Sequence, residues 1–106
     1  MTNVDLETPL PKEDPMGATL SVGSDAYPYT VLKIKEKYLW AQRDSFKMAE
    51  GGEYFGNQIW DCYRNLCAPV ELYTLRKDNR WRKKGDSLKA GPLYVGFRRP
   101  RQDPSF

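Results

Sequence analysis

Apolar and polar residues alternate with a period of two in several short runs, and every run is cut off by turn-forming residues within a few positions. Tyr29 to Glu36 places Thr30, Leu32 and Ile34 on one side and Tyr29, Val31 and Lys33 on the other. "EKYLWAQRD" sets Tyr38, Trp40 and Gln42 against Leu39, Ala41 and Arg43. "VELYTL" sets Val70, Leu72 and Thr74 against Glu71, Tyr73 and Leu75, and "PLYVGFRR" puts Leu93, Val95 and Phe97 on one side. A period of two is the signature of a half-buried strand, so the chain is predicted to be mainly β.

The turns join these runs into hairpins. Lys35 to Lys37 separates the first two runs, and Asp78-Asn79 forms the tip of "VELYTLRKDNRWRKKG", a pair that tolerates positive φ. Met16 to Val22 is a further strand candidate, with Gly23-Ser24-Asp25 as its turn, and Asp86 to Gly91 is a second loop. Tyr27-Pro28-Tyr29 reads as a strand entrance, where the missing N–H of Pro28 leaves no ladder bond unmade. The flanking rings are expected to be chiefly structural, at least one of them covering a barrel end. Ser45 to Asn57 is broken by Gly51, Gly52 and Gly56, and a loop of that length is often functional. "QIWDCYRNLCAP" fits one or two helical turns, or an irregular strand, the latter being preferred.

Five or six short strands in 106 residues point to a small, partly open barrel, SH3-like in the first instance and OB-like in the second. A chain of this length forms one domain and buries roughly two-thirds of its unfolded surface. The domain is expected over residues 16–106. Residues 1–15, with three prolines and four acids, read as an arm or an extended strap. Periodicity alone assigns Thr30, Leu32, Ile34, Val70, Leu72 and Val95 to one core, together with Trp40 or Leu39.

Charge is polarised along the chain. Residues 1–15 carry Asp5, Glu7, Glu13 and Asp14 against Lys12, whereas residues 76–101 carry ten Lys/Arg against Asp78 and Asp86. The basic third is the natural place for a phosphate-bearing or acidic partner. A solvated strand face rich in lysine is the alternative. Trp81 stands between Arg80 and Arg82. Facing outwards it would be a stacking platform inside a positive patch; facing inwards it would leave the patch without stacking.

Enzyme chemistry finds little support. The chain has no histidine, so Ser-His and Cys-His nucleophiles are excluded. Cys62-x4-Cys67 supplies two soft ligands, whereas a closed zinc site needs four. The glycines make neither GxGxxG nor a P-loop. The expectation is therefore a non-enzymatic protein with no cofactor and no metal. No run of about 18 apolar residues is present, and the N-terminus lacks the basic and apolar regions of a signal peptide. An intracellular protein with two thiols and no membrane contact is expected.

The succession "GSDAYPYTV", "WAQRD", "YTLRKDNRWRKKG" and "LYVGFRRPRQDPSF" resembles a family of small uncharacterised proteins from tailed bacteriophages and prophages. The resemblance covers about residues 17–106 and consists of strands and turns, with no catalytic signature. Many relatives have Gly at the hairpin tip where this chain has Asn79, a difference that concerns turn type. The resemblance implies a viral origin, hence the cytoplasm of a bacterial host, and supplies no activity.

Three functions remain open at this point. The first is a binder of single-stranded nucleic acid or a nucleotide through Arg76, Arg80, Trp81, Arg82, Lys83, Lys84, Arg98 and Arg99. The second is a phage counter-defence protein that inhibits an acidic host immune protein through a protein–protein surface, or sequesters its nucleotide signal. The third is a particle or assembly component that self-associates through residues 1–15.

Overall fold

A computed structural model describes residues 8–53, 55–85 and 91–102. The acidic residues 1–7, Tyr54, most of the loop expected after Gly85 and the last four residues lie outside the described part.

Eight strands form, with no helix among the described residues: β1 (Glu13–Val22), β2 (Asp25–Lys35), β3 (Tyr38–Arg43), β4 (Ser45–Met48), β5 (Trp60–Tyr63), β6 (Val70–Leu75), β7 (Trp81–Lys83) and β8 (Leu93–Phe97). Six of them make a closed antiparallel barrel in the order β1-β2-β3-β6-β7-β8, and β4 pairs with β5 in a separate two-stranded sheet. The small β-barrel expected from the alternation is thus present. Its strands follow one another around the wall, and β4–β5 is an excursion between the third and fourth of them. Closure falls on β1 and β8, which pair at both ends of β8, while β7 meets β8 only through Trp81 opposite Leu93.

Turn chemistry explains the tight corners. Asn79 takes φ 63°, the left-handed conformation that Asn tolerates better than most residues, and closes β6–β7 with its N–H on the Arg76 carbonyl. The stretch before Pro69 is extended: β5 crosses β4 so that Phe46 meets Trp60 edge to face at 5.1 Å. Phe46 in turn touches Tyr27. β2 begins three residues before the expected entrance at Pro28, which sits within the strand opposite Thr19.

The core is Ala18, Tyr29, Val31, Leu39, Ala41, Tyr73 and Leu93, with Leu20, Tyr27, Trp81 and Val95 against it. Leu39 and Val95 are in place, but on β2 and β6 the inward face is the opposite of the one that periodicity suggests. On β2 the inward residues are Tyr29 and Val31. The register then shifts between Val31 and Lys33, a bulge that leaves Leu32 41% exposed and carries Ile34 to the rim opposite Leu39, 48% exposed. On β6 the inward set is Glu71, Tyr73 and Leu75, so Val70 and Leu72 face outwards. Period-two patterns define two faces and do not say which is inside. Here two buried tyrosines, meeting edge to face at 6.1 Å, fill volume that aliphatic side chains were expected to fill. Both rings flanking Pro28 are therefore structural, Tyr29 wholly and Tyr27 in part.

Outside the barrel wall lies a second, polar interior centred on Arg98, which is 1% exposed. Its Nε donates to Asp44 Oδ2 at 2.9 Å, its Nη1 to Asp14 Oδ2 at 2.7 Å and to the Pro11 carbonyl at 2.9 Å, and its Nη2 to Thr30 Oγ1 at 3.0 Å. The Thr30 hydroxyl donates onward to Asp44 Oδ1 at 2.7 Å, and Arg64 stands 3.8 Å from that same oxygen. A Cβ on Gly17 would come within 3.0 Å of Arg98 Nη1 and 3.2 Å of its Cγ, so the guanidinium needs a glycine beneath it. Burial pushes the Asp44 carboxyl up, and the Thr30 hydroxyl and Arg98 pull it back only in part. At Asp14 partial burial also pushes upwards, but hydrogen bonds from Arg98 and the Met16 N–H hold the carboxyl below its ordinary value.

Replacing Leu32 by Asp is expected to change stability by no more than about 0.5 kcal/mol, whereas Val31→Asp buries an unpaired carboxylate and removes several kcal/mol. Urea denaturation of the two variants separates the observed face from its opposite. For the polar interior, Arg98→Met leaves Asp44 buried without its partner and is expected to destabilise by about 3–5 kcal/mol. Asp14 has a folded pKa below its unfolded one, so its stabilisation is complete above the ordinary aspartate value and is lost as pH falls through the folded pKa. Asp14→Asn should therefore remove about 1.5–3 kcal/mol at neutral pH and flatten the stability loss seen below about pH 4. An unchanged acid profile would show that Asp14 is not coupled to Arg98 in solution.

Candidate ligand-binding cleft

The eight residues expected to bind a ligand do not form one patch. Trp81 faces inwards, opposite Leu75 and Leu93 and against the core, so it is no stacking platform. Parity then sends Arg82 to the outer face, where it is nearly buried and bonds Asp78 at 3.0 Å. That bond, with the Arg80 N–H on the same carboxylate, lowers the Asp78 pKa. Arg98 is enclosed in the polar interior and offers no surface to a ligand. Arg99 is 72% exposed on the β1 side, 3.3 Å from Glu13 and 5.1 Å from the Phe97 ring. Arg76 donates to Thr74 Oγ1 at 2.8 Å and to the Lys83 carbonyl at 3.2 Å, and Arg80 is exposed at the hairpin tip.

Lys83 and Lys84 stand apart from the rest. β7 ends at Lys83, which is opposite Tyr73, so β6 runs on towards Val70 without a full neighbour. The gap is a cleft of about 610 Å³. Lys83, Lys84 and Arg43 bring positive charge to it, Glu71 is its carboxylate, and Pro69, Val70 and Leu72 give it an apolar wall. The outward placement of Val70 and Leu72, which removes them from the core, is what makes them available here.

The cleft has an ordered polar floor. Tyr29 donates its hydroxyl to Glu71 Oε2 at 2.8 Å and accepts from Arg43 Nε at 3.1 Å. Tyr73 reaches Glu71 Oε1 at 3.4 Å, and Lys83 Nζ lies 3.2 Å from that oxygen. The Arg43 guanidinium covers the Tyr27 ring at 4.3 Å, a cation–π contact that fixes its plane. Burial raises the pKa of Tyr29, and that of Tyr73 further still, so both phenols remain protonated donors at neutral pH. A lysine and two phenols thus orient Glu71 from both of its oxygens. Three cations against this one acid leave the lining with a net charge of +2.

Sequence reasoning did not reach Arg43, Glu71, Tyr29 or Tyr73 as a site. One signal was present: "VELYTL" places a glutamate in phase with Tyr73 and Leu75, and a charged residue on a core-facing phase demands a partner. The thiols take no part, since Cys62 is buried, with its pKa pushed up to about 11 by that burial, and Cys67 is exposed.

No family model matches the chain, and no curated protein or solved structure matches it either, so the geometry of the cleft stands without a named relative.

Proposed function

We propose that the protein is a non-enzymatic binder of a small phosphate-bearing ligand, a nucleotide, held in the cleft between β6 and the end of β7. The observation that carries this reading is the clustering of Arg43, Lys83 and Lys84 around a bounded space of about 610 Å³ that contains a single carboxylate. That volume lies within the range of small-molecule sites, about 300–1,000 Å³. A cleft of this volume has room for a discrete nucleotide.

Each part of the lining has a separate task. The lysines and Arg43 supply charge-assisted donors for phosphate oxygens, Arg43 through the rigid fork that suits bidentate contacts. Val70, Leu72 and Pro69 offer apolar area to a base. Glu71, already oriented by Tyr29 and Tyr73, accepts from a sugar hydroxyl. Its negative charge also discriminates against ligands that bring only phosphate to the floor. One way for a protein that binds a nucleotide without transforming it to act is to withdraw it from other proteins. This is the form of the counter-defence expectation that the cleft supports.

Calorimetric titration with ADP tests the reading. Wild type is expected to bind with an affinity that falls as salt rises, and Lys83→Gln/Lys84→Gln should weaken it by about tenfold or more. Val70 is 54% exposed, so Val70→Ser should weaken binding with little loss of fold. Absence of any heat with ADP or AMP at about 50 mM salt, where phosphate contacts are strongest, would refute the proposal.

A further inference from the structure

The outer wall formed by β2, β3 and β6 carries a second arrangement that the cleft does not use. Leu39 and Ala41 point into the core, so Tyr38 and Trp40 point outwards from the same strand. The register sets Lys33 beside Trp40 and Lys35 beside Tyr38 on β2, with Leu72 and Thr74 opposite them on β6. Tyr38 is 44% exposed, and its ring lies 6.4 Å from that of Trp40, tilted by 36°. Lys33 Nζ sits 5.6 Å from the Trp40 centroid, and Arg76 is anchored on Thr74 at the other flank. The Leu75 N–H on the Lys37 carbonyl at 2.9 Å brings the β2–β3 and β6–β7 turns side by side, adding Lys37, Lys77 and Arg80 to the same end of the barrel. Among the described residues no carboxylate pairs with Lys33, Lys35 or Lys37. Glu36 is the acid within their turn, and Asp78 is engaged by Arg82.

We infer that this wall is a binding surface for single-stranded nucleic acid, distinct from the cleft. An exposed ring backed by a half-buried one, with cations alongside, meets what a sequence-tolerant single-strand site requires: the exposed ring stacks on a base, and the cations follow the phosphates. Tyr38 is the platform, and Trp40, with Lys33 against its face, is the wall behind it. The strand register holds the rings about two residues apart on a rigid sheet, so little ordering entropy is lost on binding. A bare excess of lysine would attract any polyanion. The aromatic pair narrows the partner to one with unpaired bases. Leu72 borders both sites, but the cations differ: the cleft's lysines lie at the end of β7 away from the hairpin tip.

Fluorescence anisotropy of labelled oligo-dT and oligo-U, each about 20 nucleotides, with the full chain tests this, since one OB-sized single-strand site covers about 4–16 nucleotides. Binding to one or both is expected at about 50 mM salt, and Lys33→Gln/Lys35→Gln should reduce the salt slope by roughly 1.4, about 0.7 for each phosphate no longer neutralised. Tyr38→Ala, an exposed position that should leave the melting temperature near wild type, is expected to weaken binding about five- to a hundred-fold. Lys83→Gln/Lys84→Gln should leave oligonucleotide binding unchanged, which separates this surface from the cleft. The inference is overturned if wild type binds neither oligonucleotide. Flotation with phosphatidylserine vesicles in that case would assign Tyr38 and the flanking Lys33 and Lys35 to an anionic lipid surface instead. It is equally overturned if binding is abolished by the Lys83/Lys84 pair and untouched by Tyr38→Ala.

Discussion

The barrel depends on one guanidinium. Arg98 reaches from the end of β8 to Asp14 on β1, Thr30 on β2, Asp44 at the junction of β3 and β4, and the Pro11 carbonyl of the segment that precedes the barrel. A charge enclosed to this degree is tolerable only with its donors satisfied, and the partners come from separate stretches of chain. The neighbouring backbone is tied in as well. The Arg98 N–H bonds the Lys12 carbonyl at 2.7 Å, the Leu10 N–H bonds the Cys62 carbonyl of β5 at 2.7 Å, and Asp44 N–H bonds the Pro28 carbonyl at 2.9 Å. The network thus joins barrel closure on the β1–β8 side to the placement of the two-stranded sheet.

Closure elsewhere is slight, and function follows from that asymmetry. β1 and β8 are held by main-chain pairing and by Arg98, whereas β7 has three residues and a single partner position on β8. A short β7 leaves part of β6 uncovered, and the uncovered part is the apolar wall of the cleft. The cations of the basic third are then divided by strand parity and strand length. Arg98 turns into the buried polar network, Arg82 pairs with Asp78 on the outer face, Lys83 and Lys84 reach the cleft, and Arg76 and Arg80 stay with the hairpin tip. One basic stretch of sequence therefore serves stability, ligand binding and surface charge at once.

The tyrosines show how the two interiors meet. Tyr29 and Tyr73 are wholly buried core residues, yet their hydroxyls bond Glu71 and orient it from beneath the cleft. An amphipathic ring fills apolar space and delivers a polar tip, so a small barrel can use the same side chain for packing and for the floor of a site. Arg43, clamped between the Tyr27 ring and the Tyr29 hydroxyl, extends that floor outwards.

The sequence carried the β character, the hairpin at Asp78-Asn79 and a core place for Val95, because alternation and turn chemistry are local properties of the chain, but it left Trp40 and Leu39 as alternatives. Asn79 adopts positive φ for reasons visible in two residues. It also determined that positive charge concentrates in the last third. Tertiary packing settled which face of each strand is inside. The bulge after Val31 shifts the phase in mid-strand, and the choice between Val70 and Tyr73 rests on how much volume the opposite wall leaves to be filled. It alone decided that Arg98 is enclosed while Lys83 is presented, since the difference lies in whether Asp14, Asp44 and Thr30 converge on one point. The cleft was out of reach for the same reason: Arg43 and Glu71 are 28 positions apart in sequence, and they become neighbours only when β3 pairs with β6.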